Sequence, residues 1–454
     1  MGLRRKTIIV ATVIVVSAIF AVAALLALLA DPDRYRPQVI SYLETKTGKQ
    51  IEIGHIGVNW IPLSIRLDDV GVRTPKPFPP GYFLRATRID AALDAGALLH
   101  RQIVIKSMVL HDPIINVISD PDGLWNFENP PSNTSQARVR VFALGLISRV
   151  EITGGQLTAS SLIDPSDRPG PVVFEAHDLA AALEQVDFDA FLDPASPAIA
   201  QGDMHAGSLR FGSVETTSVK CRLRLRARQI YFSDIQANTY GGSTTGSLSF
   251  RLEGKNAGFS AEARLRGIDM TRLLASFPSA RGKMTGIMEG DVKLAGTIEH
   301  TLHPLAGIHG AGHVTVRNGQ VPSLKLNENL MKLAHFNDLG PAKQDPASFS
   351  SISTDLELAN QRISSGAIEI DGYGVNVSGS GSVSVSGSDD LNYQGVANIV
   401  AKQGFFTNLE ARLSGASSHN GRLSFPFRVS GTVGTPIFSM GSKTDPERQD
   451  AALR

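Results

Sequence analysis

The sequence predicts a mainly β protein, in which one N-terminal transmembrane helix precedes a long antiparallel sheet with a few short helices. Residues 7–30 contain no charged side chain, long stretches after residue 48 alternate apolar and polar residues, and turn-forming clusters separate these stretches. Alternation with a period of two places apolar side chains on one face of a strand and polar ones on the other. This arrangement is typical of an antiparallel sheet with one face in water.

Residues 1–30 predict a membrane anchor. Arg4, Arg5 and Lys6 precede residues 7–30, a run of 24 residues without a charge. As a helix this run is roughly 36 Å long, enough for a hydrocarbon core of about 30 Å, whereas a cleaved signal peptide has an apolar region of about 7–15 residues. Basic residues mark the cytoplasmic end of a span, so residues 1–6 are expected in the cytoplasm and the rest outside it. Small residues near the end of the run leave cleavage as the alternative.

Behind the anchor the sequence predicts a short helix and then strands. Tyr35, Val39 and Leu43 recur at four-residue spacing, and Gly48 is placed to end the helix. Two further helices are predicted in DMTRLLASF, capped by Asp269, and in LNENLMKLAHF. Alternation with a period of two indicates strands in residues 103–109, 221–228, 248–252, 292–298, 375–386 and 423–433.

Composition shifts divide the exported part of the chain. The Pro- and Ser-rich stretch 129–136 is predicted to be a linker, and residues 164–171 a long surface loop. The predicted regions are an N-terminal helix and strands, a central sheet region, a C-terminal β-region and a disordered tail. Their boundaries are 31–128, 137–300, 301–436 and 437–454.

The stretch ANTYGGSTTGSLSF, residues 237–250, raises a choice between a phosphate-binding loop and a simple turn. A P-loop needs a lysine and a Ser or Thr directly after its glycines, followed by a helix. Here the next lysine is Lys255, and the glycines lead into the alternating residues Leu248 and Phe250. Gly241 and Gly242 are therefore predicted to turn one strand into the next.

Composition and motifs favour a protein without covalent chemistry. Lys plus Arg number 44 against 43 Asp plus Glu, so no net field attracts nucleic acid. The single Cys221 excludes an intramolecular disulfide. Nucleophile-elbow, zinc-protease, C-x-x-C and dinucleotide-binding motifs are absent from the sequence. We therefore predict no catalytic residue, no metal site, no cofactor and no nucleic-acid partner.

Two clusters leave functional alternatives open. His300, His303, His309 and His313 with Glu299 are either metal ligands gathered by a returning loop or scattered turn histidines, and their spacing favours the latter. The arginines at alternate positions from 222 to 228 either meet anionic head groups or form a solvated strand face that discourages aggregation, which is the favoured interpretation.

Several stretches in order resemble the AsmA family of Gram-negative envelope proteins. The anchor followed by DPDRYRPQVISYLETKTGKQIEIGHI is similar to the entry of that family, and SMVLHDPIINVISDPDGLWNFEN resembles its segment before the first linker. RVEITGGQLTASSL and the region from IQANTYGGSTTGSLSF to GKMTGIMEGDVKLAG resemble its central units. GHVTVRNGQV, DDLNYQGVANI and LSFPFRVSGTVGTPIF resemble its C-terminal portion.

The resemblance implies a fold and a role. AsmA-like proteins resemble the chorein-type bridge-like lipid transfer proteins, whose sheet bends into a U-shaped, taco-like groove with an apolar inner face. The chain is thus expected to be a single-pass inner-membrane protein with its bulk in the periplasm, carrying phospholipid acyl chains in outer-membrane biogenesis or homeostasis. Its implied partners are membrane phospholipid, the inner membrane and other envelope proteins. The predicted groove lining consists of Leu223, Leu225, Leu248, Phe250, Val375, Val377, Val383, Val385, Phe425 and Phe427.

Two other functions remain open at this point. The sheet either keeps acyl chains on its apolar face or closes on itself as a sandwich. In the second case the protein is a non-catalytic scaffold or regulator of outer-membrane protein assembly. A hydrolase or metalloenzyme built on the histidine cluster is the third alternative.

Overall fold

The computed structural model of the protein describes the following residues: 31–60, 63–94, 96–97, 104–120, 124–127, 146–162, 169–187, 200–226, 228–252, 257–298, 307–333, 347–384, 390–400, 417–419 and 422–441. Across these ranges three α-helices and 22 strands are defined, which confirms the mainly β class. None of the described helices has the length and apolarity needed to cross a membrane. The predicted anchor, residues 7–30, lies outside the described residues.

The helices form where capping residues were predicted. Helix α1 (Arg36–Thr47) ends at Gly48, which takes the left-handed conformation (φ 67°) that glycine adopts without a Cβ penalty. Helix α2 (Met270–Ala275) begins after Asp269, whose carboxylate accepts hydrogen bonds from the backbone N–H groups of Thr271 and Arg272. Helix α3 (Leu326–Leu333) covers the first part of the predicted LNENLMKLAHF helix.

The chain divides into two compact units, residues 1–205 with 224–228 and residues 206–223 with 229–454. The strands wholly within the first unit are β1 (Ile51–Glu52), β2 (His55–Trp60), β3 (Leu63–Arg73), β4 (Tyr82–Leu93), β5 (Ile105–His111), β6 (Ile114–Ser119), β7 (Ile147–Leu162) and β8 (Pro169–Val186). Strand β3 pairs with β1 and β2 on one side and β4 on the other. Strand β4 then pairs with β5 and β6, and β7 pairs with β8.

The first unit departs from the predicted antiparallel pattern at one place. Strand β7 pairs in parallel with both β5 and β6. The connection from Ser119 to Ile147 is long enough for the crossover that a parallel pairing requires, whereas hairpin turns produce antiparallel neighbours. Strand β8 also begins inside the predicted loop 164–171, because Pro169 pairs with Leu162.

Strands β9 (Ala200–Phe211) and β10 (Val214–Arg226) have residues in both units. The second unit continues as a meander in which each strand from β11 to β19 pairs antiparallel with the next. Strand β21 follows β19 and also pairs with β20 and β22. These strands are β11 (Gln229–Thr239), β12 (Gly242–Arg251), β13 (Ala257–Asp269), β14 (Ile287–Ile298), β15 (Ile308–Gln320), β16 (Ser348–Ala359), β17 (Arg362–Gly372), β18 (Val375–Ser384), β19 (Leu391–Val400), β20 (Ser417–His419), β21 (Arg422–Gly431) and β22 (Pro436–Met440).

The turn between β11 and β12 settles the role of the Gly-Gly pair. Thr239 pairs with Gly242, so Tyr240 and Gly241 form a two-residue hairpin loop. Both have positive φ, 44° and 86°, as the hairpin turn that matches strand twist requires. The predicted turn is confirmed, and the stretch is not a P-loop.

A ring contact shows that the strands of the second unit bend toward their apolar face. The Phe211 and Phe259 ring centroids are 6.0 Å apart. Phe211 lies beside the C-terminal end of β11, because the Tyr240 hydroxyl donates to the Ser213 carbonyl. Phe259 lies near the other end of β11. It pairs with Phe250 of β12, which in turn pairs with Ile230 at the start of β11. In a flat sheet the ten residues between these two ends of β11 would separate the rings by roughly 33 Å along the strand.

Glycines on this face permit the bend. A Cβ built on Gly246 would lie 1.9 Å from the Glu262 carbonyl oxygen, and one on Gly290 would lie 2.4 Å from that of His313. Glycine in a strand marks such close backbone approaches. The glycines of the second unit that share this face and this crowding are Gly246, Gly290, Gly296, Gly310, Gly312, Gly379, Gly381 and Gly395.

We expect Gly246→Ala to lower the free energy of unfolding by about 1–3 kcal/mol, because the added methyl group forces β12 and β13 apart. The matched control is Gly258→Ala on β13, where a Cβ would come no closer than 3.9 Å to another atom. Urea unfolding of the full chain in detergent, followed by circular dichroism, measures both. Equal midpoints for the two variants would contradict the close approach at Gly246.

Candidate functional site

The apolar face of the second unit is continuous across nine strands. Directly paired residues of antiparallel strands point to the same face, so the register defines rows that run across the sheet. One row, called the open row below, crosses β11 to β19 and consists of Phe232, Leu248, Ala261, Leu294, Gly310, Leu358, Ile363, Val383 and Leu391. All of its members are half-buried or exposed, and Leu294 is 36% exposed.

Further along the same strands the apolar face is covered. A second row, called the covered row, crosses β14 to β21 and consists of Met288, Val316, Ile352, Ile370, Val377, Ala397 and Phe425. Near β13 to β16 this part packs against Met270 at the start of α2 and against Val321. Near β18 to β21 it packs against Leu330 of α3. On β14 to β19 the apolar face is therefore covered at one end and less covered along the open row. On β13 the open-row end is also contacted, because Phe259, two residues from Ala261, is buried and its ring meets that of Phe211.

The opposite face of the second unit is polar and carries cross-strand ion pairs. Arg264 contacts Asp291 at 2.7 Å, and Arg317 contacts Glu289 at 2.8 Å. The side chains of both pairs are about half exposed or more, so each pair contributes at most about 1 kcal/mol. Their effect is to keep this face in water and to favour the observed register, which leaves the other face for apolar contacts.

The first unit has the same two-faced construction. One row of its apolar face, from β3 to β8, consists of Leu67, Ile89, Leu110, Ile152 and Ala181. Helix α1 packs beside this row, on the cluster formed by Ile51, Ile53 and Ile56.

A polar cluster lies beside strand β1 in the first unit. The Tyr82 hydroxyl donates to Glu52 at 2.6 Å, and the Arg73 guanidinium donates to the same carboxylate. These two hydrogen bonds lower the pKa of Glu52. The cluster thus keeps a charged carboxylate at a sheet edge, where charge discourages pairing with another chain.

The structure places the predicted lining residues in different surroundings. Leu248 and Val383 belong to the open row, and Phe250, next along β12, is also half-buried. Leu223 and Leu225 are half-buried on β10, where the neighbouring arginines are exposed. Those packed in the covered part, with relative exposures of 3% or less, are Val375, Val377, Phe425 and Phe427. Val385 lies outside the described residues, and contact of any of these side chains with lipid remains a prediction.

Tyr393 is the functional candidate that sequence reasoning missed. It is 9% exposed on β19 and packs against Phe427, with ring centroids 5.6 Å apart. Its hydroxyl lies above two glycines, since a Cβ on Gly379 or Gly395 would come within 2.6 or 2.8 Å of the oxygen. Among the described residues this hydroxyl has no hydrogen-bond partner, and burial raises its pKa well above the ordinary value. The sequence signal that could have identified it is the alternation of Leu391, Tyr393 and Gly395, which places Tyr393 on the apolar face of the strand.

The clusters considered for other chemistry do not form a metal centre in the described part of the chain. His309 and His313 are exposed on the polar face of β15, and His313 contacts Asp355 at 2.8 Å. His300 and His303 lie outside the described residues. Within the described ranges, no group of three or more His, Cys, Asp or Glu side chains is placed to hold a metal ion.

The arginine stretch on β10 follows its predicted alternation. Arg222, Arg224 and Arg226 are exposed, and Cys221 is buried. Arg222 contacts Asp234 at 3.7 Å, with both side chains at least two-thirds exposed. These contacts agree with a solvated strand face.

One comparison with known proteins finds a family match over part of the chain. The AsmA family model matches residues 3–160, which include β1 to β6 and most of β7. The predicted resemblance to the AsmA family is thereby confirmed over that part of the chain. The comparisons with curated proteins and with solved structures give no match.

The two ends of the apolar face should respond differently to truncation. We expect Phe425→Ala, at a fully buried position, to lower the free energy of unfolding by about 3–5 kcal/mol. Leu248→Ala, in the open row, should cost about 1 kcal/mol or less, because less of its side chain is removed from water on folding. Urea denaturation of both variants measures this contrast, and similar costs would show that the open row is packed as tightly as the covered one.

Proposed function

We propose that this protein is an inner-membrane-anchored periplasmic protein of the AsmA type that carries phospholipid acyl chains along its apolar β-face, without covalent chemistry. The family match over residues 3–160 and the large β-sheet support this role. The observation that carries it is the open row, an uninterrupted line of apolar residues and glycines across nine strands that the described residues leave half-buried or exposed.

The physical basis is the cost of moving hydrocarbon through water. Each methylene group exposed to water costs roughly 0.8 kcal/mol, so a two-chain lipid does not cross an aqueous gap freely. The open row replaces membrane contact by contact with Phe, Leu, Ile and Val side chains, with Ala261 and Gly310 between them. Eight strand-to-strand steps from β11 to β19 span roughly 38 Å. A smooth lining without polar anchors suits sliding chains, while head groups stay in water.

A charge in the open row should block this path. We expect Leu248→Asp to reduce phospholipid transfer between vesicles at least about fivefold, because acyl chains would then pass a carboxylate that resists desolvation. The control is Ser247→Asp, one residue away on the exposed polar face, which should transfer lipid as the unchanged protein does. The assay uses full-length protein in proteoliposomes with fluorescent phosphatidylethanolamine, alongside native mass spectrometry for co-purifying lipid.

Absence of both bound lipid and transfer activity in the folded, unsubstituted protein would reject the proposal. Photo-crosslinks to proteins on the polar face, combined with no lipid adduct on the open row, would favour the scaffold alternative. Equal losses of transfer in the Leu248→Asp and Ser247→Asp variants would show that the effect is not specific to the apolar face.

The proposed anchor is tested separately. A reporter enzyme that is active only in the periplasm, fused after Arg454, should be active with the natural sequence. Ile19→Arg, at the centre of residues 7–30, should release protein from the membrane or abolish its insertion, since a charge at the centre of a span costs about 2.5–3.5 kcal/mol. Membrane fractionation measures this, and an unchanged distribution would contradict anchoring by this segment.

A further inference from the structure

Helix α3 packs on the same apolar face that carries the open row. This strand surface is called the floor below. Leu330 is fully buried in the cluster that contains Val377, Ala397 and Phe425, and Leu326 and Leu333 pack against that cluster. These three leucines are spaced by four and three residues, so they form one side of the helix. The leucine side chains of the helix therefore cover this end of the floor.

Between the open row and the part under α3, the same face carries Gly379, Gly381, Gly395 and the ring of Tyr393. On β18 the half-buried Val383 and the buried Val377 share one face and are six residues apart, roughly 20 Å. On β19 Leu391 and Ala397 repeat this relation. An acyl chain that leaves the open row would thus pass Tyr393 and then reach the apolar surface that α3 now covers.

The outer side of α3 shows that the helix depends on this contact. Lys332 and Lys325 both contact Glu328, and these side chains face away from the floor. An eight-residue helix is too short to be stable alone in water. Its helical state is thus coupled to docking, and anything that takes the place of the three leucines on the floor would release it.

A second observation is an unsatisfied polar group in the cluster on which α3 docks. The Tyr393 hydroxyl, in the same cluster as Leu330, is buried without a hydrogen-bond partner in the described part of the chain. A buried hydroxyl without a partner destabilises the arrangement that buries it. The strand floor around it is otherwise closely packed, as the small distances above Gly379 and Gly395 show.

We propose that α3 is a displaceable plug that occupies the terminal section of the acyl-chain path, so that phospholipid chains and α3 compete for the same floor. When lipid replaces the helix, the Tyr393 hydroxyl gains a partner, either water or an ester oxygen of the lipid. This inference rests on the proposed function, because it regulates the same apolar face.

The experiment follows the amide hydrogen exchange of residues 326–333 in the full-length protein in nanodiscs, with and without vesicles of phosphatidylethanolamine and phosphatidylglycerol. Lipid should accelerate exchange in α3, and Leu248→Asp, which blocks the open row, should abolish that acceleration. Leu330→Ala should raise lipid uptake about tenfold by weakening the docked state. The surface control Lys332→Ala should leave uptake unchanged.

Tyr393→Phe gives the decisive readout, since it removes only the hydroxyl. It should raise the unfolding temperature by a few degrees and lower lipid uptake about fivefold, because the docked state no longer buries an unpaired group. A fixed structural cap would show the higher stability without the lower uptake. A lower unfolding temperature, or lipid uptake without faster exchange in α3, overturns the plug and leaves the proposed function intact. No uptake by the unsubstituted protein refutes both.

Discussion

The structure depends on one constraint, the in-register antiparallel pairing of consecutive strands. Because side chains alternate with a period of two, a register slip of one residue would exchange the two faces of a strand. Row after row of the second unit keeps apolar residues aligned, as in Leu248, Ala261 and Leu294 across β12 to β14. The ion pairs on the opposite face join residues in the same register, such as Arg264 and Asp291. The two faces thus specify the same alignment independently.

In this construction the stability of each strand depends mainly on its two neighbouring strands. In the meander from β11 to β19 each strand gains most of its contacts from the strands beside it, as in repeat proteins. Such a sheet must protect its apolar face where the repeat stops. In the first unit α1 packs beside the first strands, and in the second unit α3 packs on the cluster of the last ones. Helix α3 therefore stabilises this end of the second unit, and in the proposed lipid path it is also an obstacle.

Local patterns in the sequence predicted local structure well. The alternation in residues 375–386, the cap at Asp269 and the turn at Gly241 each depend on residues that are near in sequence, and the strand, helix and hairpin followed. The parallel pairing of β7 was not predicted, because it depends on where a long connection returns. Nothing in the alternation distinguishes Val383 from Val377, since cover by α3 comes from a distant segment of the chain.

The glycines bear on the choice between a sandwich and an open apolar face. Two sheets that pack face to face need interdigitating side chains to fill a layer of about 10 Å. In the second unit Gly290, Gly310 and Gly312 lie on the apolar face of adjacent strands, where a Cβ would collide with the neighbouring backbone. Such a strand surface is curved, and its glycines provide no side chains that could interdigitate with those of a second sheet. Flexible hydrocarbon adapts to a curved surface better than a rigid sheet does, and the leucines of α3 pack on its covered end.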